Sequence, residues 1–197
     1  IFEQKEEVKK PSGSGKSSLV RCGLLSELYG GSFLQAGTDW EVAVMNPGGG
    51  PFNQLSKSLV DSDIYDSEEA DVHLKLNATL RRSRLGLVEE IRQAALPEGT
   101  NFLLVVDQFE EIFRYSEAGE EEEEAADDFI SMILEASKQS GVPIYVIITM
   151  RSDYIGDCSK FEGLPEEINE SEYLIPRLSR EEYKSVLEGP RSEDGTR

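Results

Sequence analysis

Two five-residue runs of β-formers, Phe102–Val106 (FLLVV) and Ile144–Ile148 (IYVII), constrain this chain most, because each has no polar face and each stops abruptly at polar or charged residues. A strand of that kind must be covered on both faces. The end carrying Asp107-Gln108-Phe109-Glu110-Glu111 must then lie outside the sheet, as must Met150-Arg151-Ser152-Asp153 after the second run. Neither run approaches the ~20 apolar residues that span a bilayer. With no basic-then-apolar leader and only two cysteines, Cys22 and Cys158, the reading is a soluble, cytoplasmic chain with no membrane partner.

The stretches between these runs alternate in period. Trp40 to Met45 alternates and is β-rich, and Asn46-Pro47-Gly48-Gly49-Gly50-Pro51 ends it. Leu19, Val20, Gly23, Leu24 and Leu28 keep one helical face apolar until Gly30-Gly31. Phe52, Leu55 and Leu59 form the stripe of a short helix, Leu74 to Leu96 reads as one long helix, and Phe129, Ile130, Ile133 and Leu134 mark a helix up to Gly141. A shorter strand is expected at Tyr173-Leu174-Ile175, and a capping box at Ser179-Arg180-Glu181-Glu182 opens a last helix. Ser116 to Asp128 contains Glu120 to Glu124 in succession, and mutual repulsion predicts a solvated or disordered loop there. Strands alternating with helices predict a single α/β domain over residues 1–197 with a mostly parallel sheet, whose ligands bind at strand carboxyl ends.

Acidic residues number 39 against 20 Lys and Arg, a formal charge of −19, and such a field repels phosphate backbones and anionic lipids. Nucleic acid is not an expected partner. Against that background one basic, glycine-rich segment stands out: Pro11-Ser12-Gly13-Ser14-Gly15-Lys16-Ser17-Ser18. Glycines let backbone N–H groups curl round an anion, a lysine reaches β- and γ-phosphates, and a serine hydroxyl ligates Mg²⁺. A helix N-terminus beneath adds its positive dipole end. Ser12, Gly13, Ser14, Gly15, Lys16, Ser17 and Ser18 are therefore candidate nucleotide contacts. A flexible Ser/Gly linker has the same composition, but a linker does not open a helix with an apolar face.

Asp107, delivered by an apolar strand, is a second candidate, for the Mg²⁺ shell, with acidic neighbours able to polarise an attacking water. Arg151, just beyond the other strand, could meet a γ-phosphate. Taken singly, a strand can end in Asp for other reasons, and an arginine pairs on many surfaces. Their order along the chain makes Lys16, Asp107 and Arg151 cohere around a triphosphate and its metal. His73 reads as a surface residue, Cys22 as a packed thiol, Cys158 as a loop thiol, and Arg81, Arg82 and Arg84 as a solvated helix side.

The blocks PSGSGKSSLVRCGLL (11 to 25), LLVVDQFEEIF (103 to 113), TMRSDYIGDC (149 to 158) and YLIPRLSREEYKSVLEGP (173 to 190) resemble those of the STAND-class P-loop NTPases, specifically the novel bacterial branch often joined to WD-repeat propellers or effector domains. The resemblance implies a three-layer P-loop NTPase fold, ATP and ADP as ligands, Ser17 and Asp107 on Mg²⁺, Glu110 or Glu111 near the hydrolytic water, and Arg151 as the sensor separating ATP from ADP. It also implies a switch within a larger signalling or defence protein that self-associates with ATP bound, and because a switch completes its site only when partners assemble, hydrolysis is expected to be slow. A nucleotide-binding regulatory module without significant hydrolysis is the second reading, motivated by Gln108, an amide where many ATPases carry an acidic water activator. The chain departs from the family pattern at Lys10, where the loop's first glycine belongs, and at Phe2-Glu3-Gln4. Because a phosphate-binding loop hangs from a buried strand and Glu6-Glu7-Val8-Lys9-Lys10 cannot be one, roughly 10 to 20 residues of the parent sequence are expected to be absent between Lys10 and Pro11.

Overall fold

The computed structural model describes residues 15–29, 39–62, 64–65 and 71–173. The junction at Lys10–Pro11, the loop residues Ser12, Gly13 and Ser14, and the expected strand and capped helix from Leu174 onward lie outside the described residues. Contacts divide the chain into two units, one Ser17–Glu172 and the other comprising Ile1–Lys16 and Tyr173–Arg197. Gly15 has φ +70°, and the helix α1 covers Lys16–Ser18.

The larger unit is built on a parallel sheet of order β1-β2-β3, formed by β1 (Asp39–Met45), β2 (Thr100–Val106) and β3 (Ile144–Ile148). Every residue of β2 is buried, as an unbroken apolar run between two partners requires. The pleat then sorts its side chains. Phe102, Leu104 and Val106 enter the main core with Ala43, Met45 and Ile144, beneath α3 (Pro51–Asp61), α4 (Val72–Leu80), α5 (Gly86–Gln93), α6 (Glu111–Ser116) and α7 (Glu120–Lys138). Leu103 and Val105 face a smaller cluster with Val20 and Leu28, from the helical segment in which α1 passes through a π-helical turn, Leu19–Leu24, into α2 (Leu25–Tyr29). Helices on both sides of a parallel sheet make three layers.

Three expectations about the regular elements change. The run expected as an acidic loop is the first part of α7. Five successive glutamates form helix there because the first-turn carboxylates sit at the positive end of the macrodipole, and because Ala125, Ala126, Phe129, Ile130, Met132, Ile133 and Ala136 bury one face. The long helix expected from Leu74 to Leu96 is two helices, α4 and α5, joined by a turn through Arg81–Leu85. A Cβ on Gly86 would lie 2.5 Å from the Leu80 carbonyl oxygen, so glycine permits the chain to fold back this closely. Finally, β3 is less covered than β2: Ile144 is buried, but Val146 to Ile148 are half-buried and Tyr145 is exposed, its ring 5.1 Å from that of Trp40.

The chain after β3 carries a 3₁₀ stretch, Ser152–Lys160, and α8 (Leu164–Ser171), neither of which the periodicity announced. Cys158 and Phe161 from this region join the main core. The two thiols thus exchange their expected roles. Cys22 is exposed on the solvent side of its helix, whereas Cys158 is buried near the Tyr154 carbonyl and the Met150 sulfur. Burial pushes its thiol pKa up to about 11. His73 is half-buried and hydrogen-bonds through Nε2 to the Ser56 hydroxyl at 3.0 Å. Arg81 lies over the Phe52 ring and Arg82 pairs with Glu89.

Candidate functional site

Parallel register makes the three strands end together. Met45 is level with Val106, and Val106 with Ile148, so the next residues, Asn46, Asp107 and Thr149, emerge side by side at the carboxyl edge. The backbone ladder continues through them: the Asp107 N–H donates to the Met45 carbonyl at 2.8 Å and the Thr149 N–H to that of Val106 at 2.9 Å. The row is held by the sheet itself.

Asp107 is 5% exposed and lies at the centre of the polar contacts. Its Oδ1 accepts from the Thr149 hydroxyl at 2.6 Å, from the Ser17 hydroxyl at 2.8 Å and from the Gln108 N–H at 3.1 Å. The same N–H also reaches Thr149 Oγ1 at 3.1 Å. Its Oδ2 faces Arg21 Nη2 at 3.7 Å. Ser17 and Arg21, four residues apart on one helical segment, therefore both approach the carboxylate. Two of the sequence-predicted residues, Ser17 and Asp107, are brought together across 90 positions of chain.

Oxygen donors of this kind suit Mg²⁺: a hydroxyl and a carboxylate, with no histidine or thiolate among them. Among the described residues no group of three or more His, Cys, Asp or Glu gathers to hold a metal. A cation held by Ser17 and Asp107 would complete its shell with phosphate oxygens and water, the usual arrangement for Mg²⁺.

The other candidates lie nearby with different partners. Glu110 is 5% exposed, and its Oε2 accepts the Arg151 backbone N–H at 3.4 Å. Glu111, the next residue, pairs with Arg114 at 3.0 Å. The Arg151 guanidinium is engaged with Asp153, its Nε 3.1 Å from Oδ1, and lies 5.4 Å from the Tyr154 ring centroid. The hydrogen bond to Asp153 raises its pKa further above the ordinary arginine value. Gln108 is exposed with φ +56°, and its Oε1 accepts from the Asn46 carboxamide at 3.2 Å. Asn46 in turn accepts the Gly48 N–H at 2.8 Å, which fixes the start of the glycine-rich loop.

Sequence reasoning gave no role to Thr149, Asn46 or Arg21. Counting forward equally from the ends of the three apolar strands would have found the first two, and the four-residue spacing from Ser17 would have found the third.

Among the described residues no helix is long and apolar enough to cross a membrane. No curated protein and no solved structure gave a significant match to the chain. A family model described as Novel STAND NTPase 1 matches residues 6–197, nearly the whole length and including every residue of the strand-end row, and the chain accordingly belongs to the Novel STAND NTPase 1 family.

Proposed function

We propose that this NTPase domain binds ATP together with Mg²⁺ and hydrolyses it slowly, as the switch of a larger signalling or defence protein. The observation that carries this reading is the 2.8 Å bond between the Ser17 hydroxyl and the Asp107 carboxylate. Ser17 follows a glycine-lysine pair that reads as a phosphate-binding loop, and Asp107 ends a buried strand; these two side chains would hold the metal. Ser12, Gly13, Ser14, Gly15, Lys16 and Ser18 would supply the remaining phosphate contacts, with Lys16 countering the β/γ charge. Bound Mg²⁺ would neutralise charge developing on the transferred phosphoryl group. Glu110 or Glu111 would orient water, and Arg151, released from Asp153, would report the γ-phosphate.

Slow turnover fits a site whose acidic and basic members are paired with neighbours, because phosphoryl transfer depends on positioning and charge neutralisation. ATP-dependent self-association and contacts with WD-repeat or effector domains would complete it. Calorimetric titration of ATP into the Lys16→Ala variant tests the assignment of the loop. Affinity should fall at least ~100-fold, the loss of about two charge-assisted hydrogen bonds; unchanged binding would refute it.

A second reading is a nucleotide-dependent module that turns over little or nothing. It draws on Gln108, which follows the metal-site aspartate as an amide and is held by Asn46. Phosphate release by the chain and by its Glu110→Gln, Glu111→Gln double variant separates the two: a drop of ~100-fold or more favours hydrolysis, and equal rates favour pure binding.

A further inference from the structure

We propose that Arg21 is an electrostatic placeholder at Asp107: its guanidinium neutralises the outward carboxylate oxygen while no metal is bound, and a divalent cation displaces it on arrival. The inference rests on the metal reading above and adds a residue that the reading does not need.

The two oxygens of Asp107 are in different situations. Oδ1 is tied by Thr149, Ser17 and the Gln108 N–H, so its direction is fixed. Oδ2 faces the Arg21 guanidinium at 3.7 Å, which is beyond hydrogen-bonding range yet a close charge pair. A carboxylate whose side chain is only 7% exposed is costly without a counter-charge, and Arg21 supplies one. Arg21 is itself 61% exposed, so its long side chain can leave for solvent with little packing lost.

A divalent cation reaching Oδ2, directly or through one of its waters, would stand within a few ångströms of that guanidinium. The repulsion between them exceeds what an exposed, screened pair can hold against. Arg21 must therefore turn outward as the metal enters, and metal affinity is set by a competition between the two cations for one oxygen.

Titration of Mn²⁺ into the intact chain with saturating ADP, followed by electron paramagnetic resonance, tests this. Arg21→Gln and Arg21→Ala, two neutral variants, should bind Mn²⁺ about 3- to 5-fold more tightly than the unaltered chain, the worth of one exposed ion pair. Arg21→Lys, which keeps the charge, should stay within about twofold. The gap should narrow in about 1 M KCl, where screening acts over ~3 Å. Neutral variants that bind Mn²⁺ no more tightly, or more weakly, overturn the placeholder. Asp107→Asn separates that failure from failure of the metal reading: if it abolishes Mn²⁺ binding, the reading stands alone. If the unaltered chain binds no Mn²⁺ with ADP, or Asp107→Asn binds it equally well, reading and inference both fall.

Discussion

On one side of the sheet, Phe102, Leu104 and Val106 are sealed with Phe52, Leu87 and Phe129, each no more than 1% exposed, under five helices. On the other, Leu103 and Val105 meet Val20 and Leu28, while Trp40, Val42, Val44, Leu24, Leu25 and Ile147 are only partly buried. The same strands thus present a closely packed face and a lightly packed one among the described residues. Close packing resists displacement, and regions with few buried apolar contacts open at lower free energy. The division matches the site. Asp107 and Thr149 project from the strand ends that the packed face anchors, whereas Ser17 and Arg21 come from the helical segment on the light face. Among the described residues, the candidate site thus joins side chains carried on the two faces of the sheet.

The largest test of this contrast removes one anchor from each face. Phe129→Ala should cost about 3–5 kcal/mol, since the cavity is walled by helices that cannot collapse into it. Val20→Ala should cost about 1–2 kcal/mol, because its surroundings are already partly open. Urea unfolding with unchanged m-values measures both, and equal losses would erase the distinction. A smaller effect is expected at Gly86, within the packed face. Alanine there would gain helix propensity, but its Cβ would press to 2.5 Å from the Leu80 carbonyl oxygen and 2.8 Å from Leu80 Cα, both backbone atoms. The clash should win, with a net loss of about 1–3 kcal/mol. A stabilised variant would mean that α4 and α5 shift apart easily, and so that this face is looser than its burial implies.

The same contrast explains what the sequence could disclose. Phe102–Val106 was legible as a doubly covered strand because continuous apolar β-formers have no alternative. The place of Asp107 at the carboxyl edge was legible because a charge must leave the sheet where the run stops. The helical start around Ser17 was legible through the apolar face that follows it. What stayed hidden depends on partners distant in the chain. The five glutamates read as a repelling loop because their anchor, the stripe from Ala125 to Ala136, follows them. The break at Gly86 went unread within the stretch from Leu74 to Leu96 because the close approach to Leu80 is a tertiary fact. Thr149 had no role until register set it beside Asp107. The two thiols were exchanged because a helical position says nothing of which side faces out, and Cys158 lies in a 3₁₀ stretch with no periodic signature.

At the strand-end row, Thr149→Val tests whether the Asp107 carboxylate is held by the Thr149 hydroxyl. Valine is close in volume, so packing survives, but Asp107 Oδ1 loses its 2.6 Å donor and the Gln108 N–H loses one of its two acceptors. A loss of about 1–2 kcal/mol in unfolding free energy is expected. Thr149→Ser, which keeps the hydroxyl, should restore most of it. If serine and valine behave alike, the methyl group matters and the bond does not.

The smallest effect comes from the thiols, one on each face. Cys22 is exposed on the helix of the light face, and Cys158 is 1% exposed in the packed core. A thiol-specific disulfide reagent at neutral pH should label Cys22 at the rate of an open thiol, and Cys158 only as the core opens. Equal labelling would mean that the packed face opens as readily as the light one. The pH dependence has a definite sign. Cys158 titrates near 9.0 when unfolded and about 11 when folded, chiefly because burial penalises the thiolate. Between those values the unfolded chain has released a proton that the folded chain retains, so the contribution is whole below pH 9 and is lost as pH rises towards 11. Cys158→Ser should reduce that alkaline slope, and an unchanged slope would mean that the buried thiol is not its source.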